Sequence, residues 1–295
     1  MPFLGEIFAT SAALFWAIGV VLFKRSGENM SPMALNLFKN VVAIILYVFT
    51  MPLLGEAFIP PDQPPRVWIL LAVSGVLGIS LADTLFFMSL ERLGAGLTAV
   101  VDTSYTPIML AMSFVVLGED LGFEVLLGAV FIMGALLVGS ATRPAPGKTR
   151  RDIIVGSIIG VAGIALMGVG VVMIKGVLND APHIWASSVR LLAGALGLVP
   201  MILLSPRRRK ILGELRPSPV WKVAVPASFF GTYLALTAWL GGMKYTDVSV
   251  ASLLNQLSTI FIFILATIFL KEPITRRRVI AIVLAFTGAI IVVWR

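Results

Sequence analysis

Two stretches decide the fold: residues 67–90, VWILLAVSGVLGISLADTLFFMSL, and residues 220–243, VWKVAVPASFFGTYLALTAWLGGM. Each is long and apolar enough for an α-helix to cross the hydrocarbon core of a bilayer, which takes about 20 residues. They also resemble each other. A shift of about 153 residues sets Val67-Trp68 on Val220-Trp221, Gly78 on Gly231, Leu81-Ala82 on Leu234-Ala235 and Thr84 on Thr237. The same shift sets Thr106 on Thr259 and Leu117-Gly118-Glu119 on Leu270-Lys271-Glu272, and a shift of about 151 sets Gly19-Val20-Val21 on Gly170-Val171-Val172 and Lys24 on Lys175. One offset that holds across several helices marks an internal duplication.

The composition of the whole chain agrees with a membrane setting. Of 295 residues, 58% are hydrophobic and 13% charged, against roughly 25% charged in a soluble domain, and the mean hydropathy is +0.99. A surface that poor in charge faces lipid. The net charge of +8 sits in the short links between apolar runs, which is how a membrane protein orients itself, so no nucleic-acid partner is implied. With no cysteine there is no disulfide or thiolate chemistry. The single histidine, His183, lies beside Pro182 at a helix start and reads as incidental, so neither a metal nor a cofactor is expected. The first basic residues, Lys24 and Arg25, follow the first apolar run, which is therefore expected to stay as a helix and not to be cleaved as a signal.

Apolar runs broken at Pro, Gly and charge clusters give ten spans: 4–23, 32–54, 67–90, 95–117, 121–140, 153–174, 182–204, 218–243, 246–270 and 274–294. The breaks at 91–95, 118–121 and 271–274 are tight enough to force antiparallel hairpins. The expected fold is an all-α polytopic membrane protein of about ten transmembrane helices, with one five-helix repeat over 1–141 and a second over 153–295. Five is odd, so the second copy enters the membrane from the opposite side. The result is an inverted repeat, an architecture typical of secondary transporters with a substrate site near the midplane. Of the 23 Lys and Arg, 17 fall on the face opposite the termini, while Arg66, Lys175, Lys244 and Arg295 share the terminal face. The positive-inside rule then puts both termini outside, on the periplasmic side of an inner membrane.

The paired halves, the SLADTLFFMSLERLGAG stretch at 80–96 and the LGE and LKE endings of helices four and nine resemble the drug/metabolite transporter superfamily, its EamA-type branch in particular. The resemblance covers nearly the whole chain and lies in spacing and hydropathy more than in invariant motifs. It implies a ten-helix carrier, usually of metabolites such as amino acids and often an exporter.

A charge at the bilayer centre costs at least about 2.5–3.5 kcal/mol on insertion scales, so intramembrane ions are functional candidates by default. Four stand out: Lys39 in helix two, Asp83 in helix three, Asp102 in helix four and Arg190 in helix seven. Lys39, Asp83 and Asp102 each fall on the order of 6–8 Å from a helix midpoint, on the cytoplasmic side, so the expectation is one cluster. Arg190 falls at a similar depth on the other side, where the repeat places a counterpart of Lys39. Two roles compete. Lys39 can neutralise an aspartate and hold helices together, or a carboxylate can bind a substrate amine or a coupling proton. Burial raises a carboxylate pKa and a nearby ammonium lowers it, so a cation that displaces Lys39 would couple binding to protonation.

The second half lacks these acids, since Asp83 aligns with Leu236 and Asp102 with Asn255. Asn255, Gln256, Ser258 and Thr259 form a neutral polar run opposite Asp102-Thr103-Ser104-Tyr105; the part of each run that faces no cavity serves helix–helix hydrogen bonds. Trp16, Phe86, Tyr105, Tyr233 and Trp239 can line a site for an apolar moiety or a cation over a ring, with packing or lipid contact as the rival role. The candidate substrate-binding set is Trp16, Lys39, Asp83, Asp102, Tyr105, Arg190, Tyr233, Trp239, Asn255 and Gln256. Trp68, Trp221 and Trp294, near span ends, read as interfacial anchors. The glycines of helix six (Gly156, Gly160, Gly163, Gly168, Gly170) read as tight packing, and Glu119 and Glu272 as caps for helices five and ten.

The functional expectation is a secondary transporter that moves small metabolites, amino acids or related amphipathic solutes, by alternating access, in the export direction and with proton coupling. Its partners are then a small-molecule substrate, the lipid bilayer and a coupling proton. A passive channel or scramblase is the alternative. An intramembrane enzyme is disfavoured. Metal hydrolysis wants paired ligands and the chain has one His, serine chemistry wants a base beside the nucleophile, and the counterparts Leu236 and Asn255, with Lys39 nearby, suit a binding pocket better than an aspartyl pair.

Overall fold

The computed structural model describes residues 3–27, 29–139, 149–270 and 276–294, and every element among them is helical. The first repeat contains α1 (Leu4–Ser26), α2 (Pro32–Leu53), α3 (Pro65–Leu93), α4 (94–117, its second limb Tyr105–Leu117) and α5 (Phe123–Gly139). The second contains α6 (Arg150–Val172), α7 (His183–Leu203), α8 (Trp221–Tyr245), α9 (Val248–Asn255 and Leu257–Leu270) and α10 (Arg276–Val293). Short helices Lys175–Asp180 and Arg208–Glu214 lie in the links that follow α6 and α7.

Local chemistry sets several boundaries. Pro32 opens α2 at a position where its missing N–H costs nothing. Thr149 and Asp152 form a reciprocal capping box at the start of α6, each side chain taking the other's backbone N–H at 3.1 Å. Gly118 ends α4 in the left-handed region at φ 68°, which a residue with a Cβ adopts only under strain. Helical hydrogen bonding runs on through Asp83–Asp102, yet the chain reverses inside that stretch. A Cβ on Gly160 would meet Ser89 Oγ at 2.7 Å and Val101 Cγ1 at 2.8 Å, whereas one straight helix would hold those two residues about 18 Å apart. The expected hairpin between helices three and four is present.

The halves interlock. Helix α1 packs on α8 and α9 of the other half, and α6 packs on α3 and α4 in the equivalent way; α2 lies against α7 and α8, α7 against α2 and α3, and α5 runs along α10. Small residues make the crossings close, as helix association in lipid requires. A Cβ on Gly19 would stand 2.2 Å from Gly231 Cα, and one on Gly170 would stand 3.5 Å from the Gly78 nitrogen. These two crossings join the glycines that the sequence repeat superposes. The other glycines of α6 are spent the same way: Gly156 on Leu93, Gly163 on Ala82 and Leu85, Gly168 on Met109 and Met112. Trp294 is 81% exposed, and the half-buried Trp68 and Trp221 turn edge-on to Trp185 and Phe38, at 4.9 and 5.1 Å between ring centroids.

Candidate functional site

Helices α3 and α8 leave α geometry at superposable places. π-Helical turns span Val76–Ala82 in α3 and Phe229–Leu234 in α8. Such turns shift the backbone bonding to i+5 and recur at functional sites. Side chains take up the carbonyls there. Thr84 Oγ1 donates to Ser80 O at 2.6 Å and Thr237 Oγ1 to Tyr233 O at 2.7 Å, the same bond in both halves. From α2, Asn36 Nδ2 donates to Ile79 O at 3.1 Å, and Tyr47 Oη donates to Tyr233 O at 3.3 Å and lies 2.7 Å from Thr237 Oγ1.

Two buried cations flank α3. Lys39 is 3% exposed; its Nζ donates to Asp83 Oδ2 at 2.8 Å and to Asn40 Oδ1 at 3.1 Å, and Asn40 Nδ2 donates on to Asn36 Oδ1 at 3.3 Å. Arg190, 1% exposed on α7, is treated differently. Among the described residues its Nε and Nη1 have no hydrogen-bond partner, Nη2 lies against Gly78, and the guanidinium carbon is 5.7 Å from the Trp239 ring centroid. Asp83 and Tyr47 are near enough to act on it electrostatically.

A second polar group lies where α4 and α9 are broken. The turn at Thr103-Ser104 interrupts α4, and Gln256 interrupts α9 at the superposable position. In α4 the cause is Pro107, which has no N–H for the Thr103 carbonyl and whose ring collides with it. The breaks are tied together, with Gln256 Nε2 donating to Asp102 O at 3.1 Å. Beside them Tyr105 Oη, Ser252 Oγ and Trp239 Nε1 face one another without completing hydrogen bonds of good geometry, and Asp102 acts electrostatically on Tyr105. Both helices were expected to run unbroken. Proline and a polar run in lipid are tolerated because neighbouring helices satisfy the freed backbone groups.

The expected cluster of three ions is therefore divided. Lys39 and Asp83 pair, and among the described residues no hydrogen bond or ion pair joins them to Asp102, which stands at the helix breaks with Tyr105 and Gln256. Asn255 ends the first limb of α9. Arg190 and Trp239 come together, and Trp239 lies between the Arg190 and Tyr105 groups. Tyr233 packs edge-on to Tyr47 at 4.9 Å, and its Oη is 2.7 Å from Thr50 Oγ1. Trp16 is elsewhere, in an apolar cluster with Phe23, Phe38, Phe86 and Trp221. Asn36, Asn40, Tyr47, Thr237 and Ser252 belong to the site without having been singled out. The i, i+4 spacing of Asn36 and Asn40 beside Lys39 carried a signal, as did the superposition of Thr84 on Thr237. Shallow hollows of about 330 and 340 Å³, near Phe3 and Val293 and near Trp68 and Leu196, face outward and hold none of these groups.

Glu119 caps a helix, but not α5. Its Oε1 and Oε2 accept the Val248 and Ser249 N–H groups at 2.7 and 2.9 Å, at the start of α9 in the other half. The left-handed Gly118 turns the chain so that the carboxylate meets that positive helix end. Glu272 lies outside the described residues. On the same face Lys175 Nζ donates to the Met243 and Thr246 carbonyls, Lys244 Nζ to Ala181 O at 2.6 Å, and Thr246 Oγ1 to Glu6 Oε1 at 3.0 Å. Burial lowers the Lys175 ammonium below its ordinary pKa, against the pull of Glu119 and Asp247.

Inverted five-helix halves, broken helices meeting between them and buried ions beside the breaks define a membrane transporter of the inverted-repeat class. The chain belongs to the EamA-like transporter family, whose profile matches it twice, at residues 3–140 and 154–294. It is 22% identical over 286 residues to an uncharacterised transporter of Archaeoglobus fulgidus (94% of this chain, 93% of that one) and 24% identical over 234 residues to protein PecM of Dickeya dadantii (78% and 76%). A solved crystal structure superposes with a TM-score of 0.82 at 18% identity, over 99% of this chain and 96% of the other, which shows a shared fold.

Proposed function

We propose that this transporter carries small amphipathic metabolites, amino acids and their relatives among them, out of the cytoplasm across an inner membrane by alternating access, with a proton as the coupling ion. The observation that carries this reading is the junction of the two helix breaks, where Gln256 holds the Asp102 carbonyl and, among the described residues, the Asp102 carboxylate pairs with no cation. Asp102 is then the acid available to a substrate ammonium or a proton, while Lys39 occupies Asp83. Tyr105, Trp239 and Tyr233 supply an aromatic surround for the apolar part of a solute. Interlocked halves of opposite orientation support the exchange of inward-open and outward-open states without a new fold. The distribution of Lys and Arg, 17 on one face and four on the other, supports termini outside.

The test is solute exchange in proteoliposomes under an imposed pH gradient. A carrier gives saturable exchange, accelerated by solute on the far side. D102N is expected to abolish its pH dependence. If D102N and D83N both leave transport and its pH dependence unchanged, the coupling mechanism fails; flux that never saturates makes the protein a channel.

A further inference from the structure

The repeat relates Lys39 to Arg190 and Asp83 to Leu236. In the first half the buried cation has its acid, at 2.8 Å. In the second half the cation is kept, buried to 1% exposure, and the acid is an apolar side chain packed beside Tyr47, Tyr233 and Leu191. An unpaired buried charge is among the costlier features a protein can hold. Among the described residues no hydrogen bond fixes the Arg190 Nε or Nη1, and the guanidinium lies over the Trp239 ring with Asp83 and Tyr47 near enough to act on it only electrostatically.

We propose that Arg190 docks a carboxylate of the transported substrate, which fills the place that Asp83 fills in the other half. Guanidinium N–H groups bind carboxylates through charge-assisted hydrogen bonds stronger than neutral ones. Lys39 and Asp83 neutralise each other, so Arg190 offers one uncompensated positive charge at its end of the site, which suits a monoanionic group, and Asp102, beside Tyr105 at the helix breaks, remains for a substrate ammonium. Trp239, Tyr47 and Tyr233 border it, so the carboxylate is carried on an apolar or aromatic body. The inference rests on the reading of this region as the substrate site and narrows the substrate class.

The experiment is thermal unfolding of the purified full-length protein with hexanoate, phenylacetate and phenylalanine, against hexanamide, phenylacetamide and phenethylamine. Carboxylates are expected to stabilise the wild type saturably and the amides not to, while any stabilisation by phenethylamine should require Asp102 and survive R190M; stabilisation by phenylalanine alone among the three carboxylates would locate the substrate among amino acids, with the carboxylate dock intact. R190M replaces an unpaired charge with an apolar chain and is expected to melt at or above the wild-type temperature, with affinity for the carboxylate lowered on the order of 100-fold. L236D restores the missing acid; it is expected to melt no lower than the wild type and to lose the carboxylate response. The proposal is overturned if the amides stabilise as well as the carboxylates, if no carboxylate in the set has an effect, if R190M keeps the response, or if R190M unfolds far below the wild type, which assigns Arg190 to structure. Counterflow of the same carboxylate in proteoliposomes separates the two readings. Binding with unsaturable flux removes the carrier and leaves the dock, whereas saturable exchange of neutral solutes untouched by R190M removes the dock and leaves the carrier.

Discussion

Replacing Asp83 by Asn strands a buried ammonium. Lys39 Nζ has Asp83 Oδ2 at 2.8 Å and Asn40 Oδ1 at 3.1 Å, with side-chain exposures of 4% for Lys39 and 24% for Asp83. Removing one partner of a buried pair costs about 3–5 kcal/mol, chiefly because the survivor stays desolvated. The quarter exposure of Asp83 and the retained Asn40 contact put D83N near the lower end, about 3 kcal/mol. K39M leaves an aspartate that reaches some solvent, at about 1–3 kcal/mol. The double variant K39M/D83N has no stranded charge, so it should cost less than the two single losses together by about 2 kcal/mol, a coupling usual for contacting charged residues. Reversible unfolding in mixed detergent micelles measures all three. Single losses below about 1 kcal/mol that simply add would refute the reasoning and return Lys39 to a solvated role.

Other consequences follow from named contacts. E119Q weakens the charge-assisted bonds to the Val248 and Ser249 N–H groups and is expected to cost about 1–2 kcal/mol in the same unfolding assay. G19V places a Cβ 2.2 Å from Gly231 Cα, where only backbone can give way, so monodisperse folded protein should be lost in size-exclusion analysis. Glu56, in the link after α2, accepts the Trp185 N–H at 2.9 Å, and burial holds its carboxyl above the usual 4.5. A raised folded-state pKa gives stability that is fully present below 4.5 and lost as pH rises through the folded value. The wild type should therefore lose stability relative to E56Q as pH rises from 4.5, a difference read from paired melting curves.

Period and length made the architecture legible in the sequence. Ten apolar runs and the offsets of about 153 and 151 residues point to the inverted halves, and the glycines matched by those offsets are the ones that touch across them. The buried ions of the candidate site were legible one by one, because an ion in lipid is rare enough to notice. Their partition was not, since a position along a helix says nothing about azimuth: Asp83 pairs with Lys39, whereas Asp102 stands with Tyr105 and Gln256 at the breaks. The π-turns and the interruption at Gln256 left no signal in hydropathy, as they rest on backbone bonding that neighbouring helices complete. For α4, Pro107 was the visible clue. The partner of Glu119 was missed for a similar reason, because a cap was sought in the next helix of the same half whereas interlocking brings α9 closer.

On the proposed mechanism, two interlocked inverted halves expose one site, at the helix breaks, to each side of the membrane in turn. The chain has no native cysteine, so S104C gives a single thiol at the break of α4. Its labelling rate by a membrane-impermeant thiol reagent is measured from each face of the membrane, with and without a prior crosslink between E119C and S249C that holds the terminal face shut. Alternating access predicts labelling from both faces of the uncrosslinked protein, and a crosslink that stops it from the terminal face while speeding it from the opposite one. Labelling from one face only, or rates that fall together on both faces, would contradict it.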